Sequence, residues 1–256
     1  MSAVKRKDLE KFLNNLLNIY EFQDYGPNGL QIEGSDEVKK VAFAVSATKH
    51  SINESVKAGA DALIVHHGLF WKFHGVRTLK GPFAKRVFPL IKNDINLFGY
   101  HLPLDAHLEV GNAAGISKQL EMTDIKPFGD YKGSPTGLKG KLPNEMTREE
   151  LANSLESLLN HKVIYSVPEG QESIKTLAII TGGANSEWAQ AMREGVDAYL
   201  TGEMSEHDWH ESAEAGVTMF AGGHNATEQF GVQQLMESVE KKFSLDCIFI
   251  ESENPA

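Results

Sequence analysis

The chain has 256 residues, 41% hydrophobic and 23% charged, which is enough to build a buried core and excludes a disordered or fibrous protein. A formal net charge of −10 disfavours a nucleic-acid partner gripped through its backbone, which needs a basic surface, but leaves room for a small phosphorylated ligand. The one cysteine, Cys247, excludes an internal disulfide framework, and the absence of a secretory h-region in MSAVKRKDLEKFLNNLL and of any apolar run near ~20 residues points to a cytoplasmic protein with no membrane span.

Leu9, Phe12, Leu13, Leu16, Leu17 and Ile19 recur at helical spacing, so residues 7–19 read as an amphipathic opening helix. DYGPNGLQIEG follows as a loop punctuated by Gly26, Pro27, Asn28 and Gly29. Residues 38–46 read as a buried strand, KHSINESVKAGA as a helix and DALIVHH as the next strand. KGPFAKRVFPLIKNDI reads as a helix interrupted or ended near Pro89, and NLFGYHLPLDAH as a strand entering a loop, where Pro103 argues against a regular helix. GNAAGISKQLEM is a further helix, and the Gly/Pro-rich PFGDYKGSPTGLKGKLP reads as a passage between halves. MTREELANSLESLLN is a helix with Thr147 and Glu150 as a capping box. Strand candidates HKVIYSV and IKTLAIIT precede a helix at 187–194, strand DAYLTG, a helix at 206–215, strand VTMFAGG, a helix at 226–241 and strand LDCIFI, in which Cys247 reads as a packed residue. Strands alternating with helices predict an α/β fold with largely parallel sheets.

The chain echoes itself. VAFAVSAT, a helix and AGADALIVHHG compare with LAIITGGA, a helix and EGVDAYLTGEM, with Gly59 and Asp61 matching Gly195 and Asp197 without a gap. LFGYHLPLD compares with MFAGGHNATE, and each copy ends in His-x-x-x-carboxylate, His101 with Asp105 and His224 with Glu228. Two related α/β units are therefore expected, at 1–128 and 129–256, with 220–256 packing back to complete a metal site between them.

VHHGLFW sets His66 and His67 together at a strand's end, where the pleat breaks and both rings can turn to one place. His224 and Glu228 lie four apart at a predicted helix start, on one face and close to the positive end of its dipole. His66, His67, Asp105, His224 and Glu228 all follow predicted strands, at the carboxyl ends where α/β sheets bind ligands. Five nitrogen and oxygen donors exceed the three that one catalytic zinc takes from protein. Two divalent ions about 3.5–4 Å apart use them better, with Glu228 long enough to bridge and one of His66 and His67 on each ion. Such a pair activates water for hydrolysis without a serine or cysteine nucleophile.

NGLQ, HHGLFW, HLPLDAH, TGE and GHNATEQFGV, in that order over nearly the whole chain, resemble the dinuclear-metal family of GTP cyclohydrolase 1 type 2 homologs. The resemblance implies two interleaved α/β domains and metal ligands at His66, His67, Asp105, His224 and Glu228. It also implies a toroidal homohexamer, a trimer of dimers, and by name an opening of the purine ring of GTP or hydrolysis of another nucleotide-like molecule. The competing expectation is a metal-binding regulatory or partner-recruiting ring without turnover. Zinc, iron, manganese and nickel all suit imidazole plus carboxylate. His101 reads as a residue holding Asp105, or as a further ligand; His107 as a neighbour of the site or a loop residue. Glu203 occupies the echo position of His67 and is the candidate general base, with an N-capping role as the alternative. His207 and His210 read as a solvated helix face, Phe70 and Trp71 as packing residues, with Lys72 beside them at a possible substrate mouth. TGGAN, 181–185, is a Gly-rich turn able to present backbone N–H groups to a phosphate.

Overall fold

A computed structural model of the chain describes residues 3–256. The first elements are β1 (Val4–Lys5), α1 (Arg6–Leu16), β2 (Gly29–Ile32), β3 (Glu37–Val38), β4 (Lys40–Ser46), α2 (Lys49–Lys57), β5 (Ala62–His67), α3 (Gly81–Lys92), β6 (Asn96–Gly99) and α4 (Leu102–Asp105). There follow α5 (Asn112–Gln119), β7 (Thr123–Phe128), β8 (Gly137–Met146), α6 (Arg148–Leu159), β9 (Ile164–Tyr165), β10 (Ile174–Ile179), α7 (Trp188–Arg193), β11 (Ala198–Thr201), α8 (Glu206–Glu214), β12 (Thr218–Ala221), α9 (His224–Thr227), α10 (Gln229–Phe243) and β13 (Asp246–Phe249). The fold is mixed α/β, as the alternation predicts. Among the described residues no helix is long and apolar enough to cross a membrane.

The chain divides into two compact units. Unit 1 is Met1–Leu104 with Val232–Glu253; unit 2 is Asp105–Gly231 with Asn254–Ala256. Unit 1 holds a five-stranded sheet in the order β13-β4-β5-β6-β2, parallel except for β2. Its core takes Ala42, Leu63 and Val65 from the sheet, with Ile52, Phe83, Val87 and Leu90 from α2 and α3. Unit 2 holds a six-stranded sheet in the order β7-β8-β10-β11-β12-β9, with β10, β11 and β12 parallel. Leu151, Leu155 and Leu159 of α6 pack against its Leu177, Leu200 and Phe220. Thr147 and Glu150 form the expected capping box, and Thr48 with Ser51 and Ser205 with Asp208 form two more.

The echo is physical. Val41 pairs with Ala62 in one sheet, and the matching Leu177 with Ala198 in the other. Asp61 Oδ2 accepts the N–H groups of Lys39 and Lys40 at 2.7 and 2.9 Å; Asp197 Oδ2 accepts those of Lys175 and Thr176 at 3.0 and 2.8 Å. Gly59 and Gly195, just before these aspartates, both have left-handed φ, 66° and 65°. In each unit one carboxylate fastens the start of the preceding strand to the turn that enters the next.

Four expectations differ, the first being that Gly29–Ile32, within the segment read as a loop, forms the strand β2, antiparallel to β6. Residues 127–143 are no linker: they carry the end of β7 and most of β8, a ten-residue strand antiparallel to both β7 and β10. Gly137 has no side chain because a Cβ there would overlap the Ile179 carbonyl of β10, so this glycine marks close strand approach rather than a hinge. Pro89 does not end α3. The hydrogen bond it forfeits falls at the exposed Lys85 carbonyl, and burial of Phe83, Val87 and Leu90 offsets a penalty of about 3 kcal/mol. Pro103 sits in the first turn of the short α4, where a missing N–H costs nothing.

Candidate metal centre

In unit 1, β4, β5 and β6 end side by side, and their ends carry the imidazoles. His66 is fully buried, and its Nδ1 lies 2.9 Å from the Tyr100 carbonyl oxygen. A carbonyl only accepts, so Nδ1 holds the proton and Nε2 presents the lone pair. His101 repeats the arrangement with a carboxylate, its Nδ1 lying 2.7 Å from Asp24 Oδ1. His67 Nδ1 lies 3.0 Å from Ser46 Oγ. The donor atoms of His66, His67 and His101 fall within 4.8 Å of one another. His101 thus stands with the paired histidines.

Asp24 is buried, and its carboxylate is fully engaged. It also accepts from the backbone N–H of Tyr25 at 2.5 Å, Asn28 Nδ2 at 2.8 Å and the Leu102 N–H at 3.0 Å. Burial pushes its pKa up, but His101, Asn28 and the Tyr25 N–H outweigh burial and hold it below the usual carboxylate value. Asn28 Oδ1 takes the His101 N–H at 2.8 Å, and Gln31 spans from the Pro27 carbonyl to the Leu69 N–H at 2.8 and 2.9 Å. The NGLQ segment therefore braces both histidine-bearing turns. A carboxylate, carbonyl or hydroxyl behind each ring is how metal-binding histidines are held.

Unit 2 carries the carboxylates, Asp105 at its first residue and Glu203 and Glu228 beyond the ends of β11 and β12. Asp105 accepts from Asn112 Nδ2 at 2.8 Å and Thr181 Oγ1 at 3.2 Å. His224 opens α9, with Nδ1 2.5 Å from Glu203 Oε1 and Nε2 3.2 Å from Glu228 Oε2. Burial opposes its charged form, but Glu228 and then Glu203 overcome this and raise its pKa to about 9. Without an ion the ring is protonated at neutral pH and donates to a carboxylate on each side. His224 would give up this Nε2 proton if it held a divalent ion through that nitrogen. Gly182 supplies the space. Its φ is +69°, and a Cβ there would overlap the Glu228 carboxylate and stand 3.1 Å from His224 Nε2.

Two N–H groups of the Gly-rich turn are already bonded within the unit. Gly182 N–H bonds Thr227 Oγ1 at 3.1 Å and Ala184 N–H bonds Thr201 Oγ1 at 3.3 Å. His107 Nδ1 accepts the N–H groups of Glu109 and Val110, which makes it a loop brace. His207 and His210 lie on the exposed face of α8, with side chains 65% and 57% exposed. Phe70 packs against the unit 1 core. Sequence reasoning missed Asp24, Asn28, Gln31 and Gly182. The first three lie in the segment punctuated as a turn, and only the density of polar side chains among those glycines hinted at a second task.

Imidazole with carboxylate is the donor chemistry of borderline divalent ions, so the residues present fit a metal, while nothing in them fixes which ion or how many. The family model described as Duf34/NIF3 (NGG1p interacting factor 3) matches residues 4–255. A protein of Haemophilus influenzae named GTP cyclohydrolase 1 type 2 homolog is 40% identical over 250 residues, covering 97% of this chain and 98% of its own. The solved structure of protein ybgI, described as of unknown function, superposes with a TM-score of 0.91 at 40% identity, covering 99% of this chain and 100% of that one. The crystal structure of TTHA1606 from Thermus thermophilus gives 0.87 at 31% identity, with 99% and 100% covered.

Proposed function

The chain belongs to the Duf34/NIF3 family, and from that premise we propose that it is a cytoplasmic metal-dependent hydrolase acting on a nucleotide-like small molecule. His66, His67, Asp105, His224 and Glu228 hold two divalent ions, zinc, iron, manganese or nickel, with His101 as an added imidazole. The observation that carries the reading is the group of three imidazoles whose donor atoms lie within 4.8 Å, two of them with the proton fixed on Nδ1 by a carbonyl and a carboxylate.

Bound ions of this kind polarise a reacting oxygen and make water nucleophilic at neutral pH. The chain's own residues do the rest. Asp24, Tyr100 and Ser46 orient the three imidazoles. Glu203 holds Nδ1–H of His224 with one oxygen, and its half-exposed side chain is the general base of this reading, taking a proton from the reacting molecule. The relative's name directs the first assay to GTP, whose purine ring would open with release of formate. The assembly that goes with the reading is a hexameric ring of three dimers.

The test is metal analysis followed by formate release from GTP. Two ions per chain, with formate release lost in His66→Ala and Glu228→Ala, is the expected result. Metal-loaded protein that releases no formate removes the cyclohydrolase step; protein that takes up no metal removes the whole reading. The hexamer is checked by light scattering. The family's description as an interacting factor favours one second reading, a ring that recruits partners and keeps its metals without turnover. It predicts metal uptake with no hydrolysis of any nucleotide.

A further inference from the structure

Outward from the imidazole group, unit 1 carries a continuous strip of rings and then cations. The Trp71 ring lies 6.0 Å from that of His67 and stands edge-on to that of His101 at 5.0 Å. Its Nε1 donates to the Gly68 carbonyl at 3.1 Å, which fixes its plane. Phe73 stacks on Trp71 at 5.6 Å and 18°, yet stays 69% exposed. The His74 ring is 4.7 Å beyond Phe73, and its Nδ1 takes a bond from Arg77 Nη1 at 3.1 Å. Arg77 lies 3.9 Å over the Phe83 ring. On the other side of His101, Tyr25 stands at 5.9 Å. Lys72 ties the two segments, its N–H to the Tyr25 carbonyl and its Nζ to the Asp24 carbonyl, each at 2.7 Å.

The charge along this strip opposes that of the protein. Residues 62–93 contain no Asp or Glu, while Lys72, Arg77, Lys80, Lys85, Arg86 and Lys92 fall among them, in a chain of net charge −10. Arg86 follows Phe83 by three residues on α3, one turn from the ring that Arg77 covers, and burial and the charge of Arg77 hold it below the usual guanidinium pKa. Among the described residues no ion pair joins either of them to a carboxylate. A large exposed ring, backed by a fixed indole and followed by unneutralised guanidinium groups, matches a flat aromatic ligand that carries an anion.

We propose that Trp71, Phe73 and Tyr25 receive the planar ring of a phosphorylated heteroaromatic substrate and that Arg77 and Arg86 receive its phosphate, with the ring's edge turned to the imidazoles. The inference rests on the metal-dependent reading for the use made of the bound ring. Arg77 and Arg86 set specificity for the anion, and Phe73 sets it for the ring.

The experiment is equilibrium dialysis of the metal-loaded full chain with guanosine monophosphate, guanosine and ribose 5-phosphate. The monophosphate should bind more tightly than either fragment. Phe73→Ser should weaken it by roughly 5- to 150-fold, the range of one base–aromatic stack, with metal content unchanged; Phe73→Tyr should restore it. Arg77→Gln should bring the monophosphate close to guanosine. Unchanged binding in Phe73→Ser, or ribose 5-phosphate binding as well as the monophosphate, would overturn the proposal. So would a single-stranded oligonucleotide binding more than about 100-fold tighter than the monophosphate, since the strip would then serve a polymer. The two readings fail separately. Metal uptake without nucleotide binding defeats this inference and the nucleotide-like substrate but leaves the metal centre standing, whereas nucleotide binding by a chain that takes up no metal defeats the metal reading alone.

Discussion

Replacing Gly182 by alanine adds one methyl group at the point where unit 2 has least room for it. The residue sits at φ +69°, a region that costs an L residue about 1–2 kcal/mol. Its backbone cannot turn away, because its N–H bonds Thr227 Oγ1 at 3.1 Å and its carbonyl accepts from Gly202 N–H at 2.8 Å and Thr201 Oγ1 at 3.0 Å. The new Cβ overlaps the Glu228 carboxylate, so the carboxylate has to move. Disturbing a group that merely orients a ligand lowers metal affinity by about 10–100-fold, and here the displaced group is a proposed ligand, so a loss of at least about 100-fold is expected. The strain should lower the melting temperature of metal-free protein by about 2–8 °C at ~2–4 °C per kcal/mol. Gly183→Ala is the control: its Cβ would stand 3.5 Å from His224 Cε1 and 3.6 Å from Glu203 Oε1, ordinary contacts, and both quantities should hold. The assay is competition for zinc against a chromogenic chelator, with calorimetry on the chelated protein. Wild-type zinc affinity in Gly182→Ala would refute the assignment of Glu228 as a ligand.

The remaining predictions address the charges and the strand anchors. With His224 raised from 6.5 to about 9, the metal-free protein gains stability that is complete below pH 6.5 and lost as pH rises through 9, which denaturant titrations across that window would show. Metal affinity should move the other way, rising about 10-fold per pH unit up to 9 as the proton on Nε2 is displaced; a flat profile between pH 7 and 9 would refute this. Asp24→Asn removes the charge behind His101 and should cost about 10–100-fold in metal affinity, read by the same chelator competition. Asp61→Ala and Asp197→Ala each strand two backbone N–H groups and should each destabilise by about 2–3 kcal/mol in urea unfolding; one of them being neutral would deny the shared anchoring role.

The parallel strands were legible because apolar runs such as LIVHH and LAII are buried on both faces, and a run of that kind has few other uses. The repeat was legible because its two anchors, Asp61 and Asp197, must stand at a fixed distance from the strands they fasten. The candidate donors stood out for a related reason: histidine and carboxylate directly after such strands have little structural work to do. What failed was punctuation. Gly137 and Gly140 look like a linker when each is required by the backbone of a neighbouring strand, and Pro103 looks like a breaker when it opens a turn. Asp24 was invisible for a different reason. Its bond to His101 spans 77 residues, and spacing along the chain carries no trace of a contact made only after both loops close.

The placement of β13 has a consequence for synthesis. It pairs in parallel with β4 through Cys247↔Val41 and Phe249↔Phe43, so an edge begun near the start of the chain waits for its neighbour until residue 249 has left the ribosome. The strands of unit 2 all lie between Thr123 and Ala221 and can close their ladder sooner. The nascent protein thus carries an apolar, half-satisfied border for most of its translation, the kind of edge that chaperones shield and aggregates recruit. A chain ending at residue 245 and released from the ribosome should expose the β4 segment to protease while the β10–β12 ladder resists, and the full-length chain should protect both.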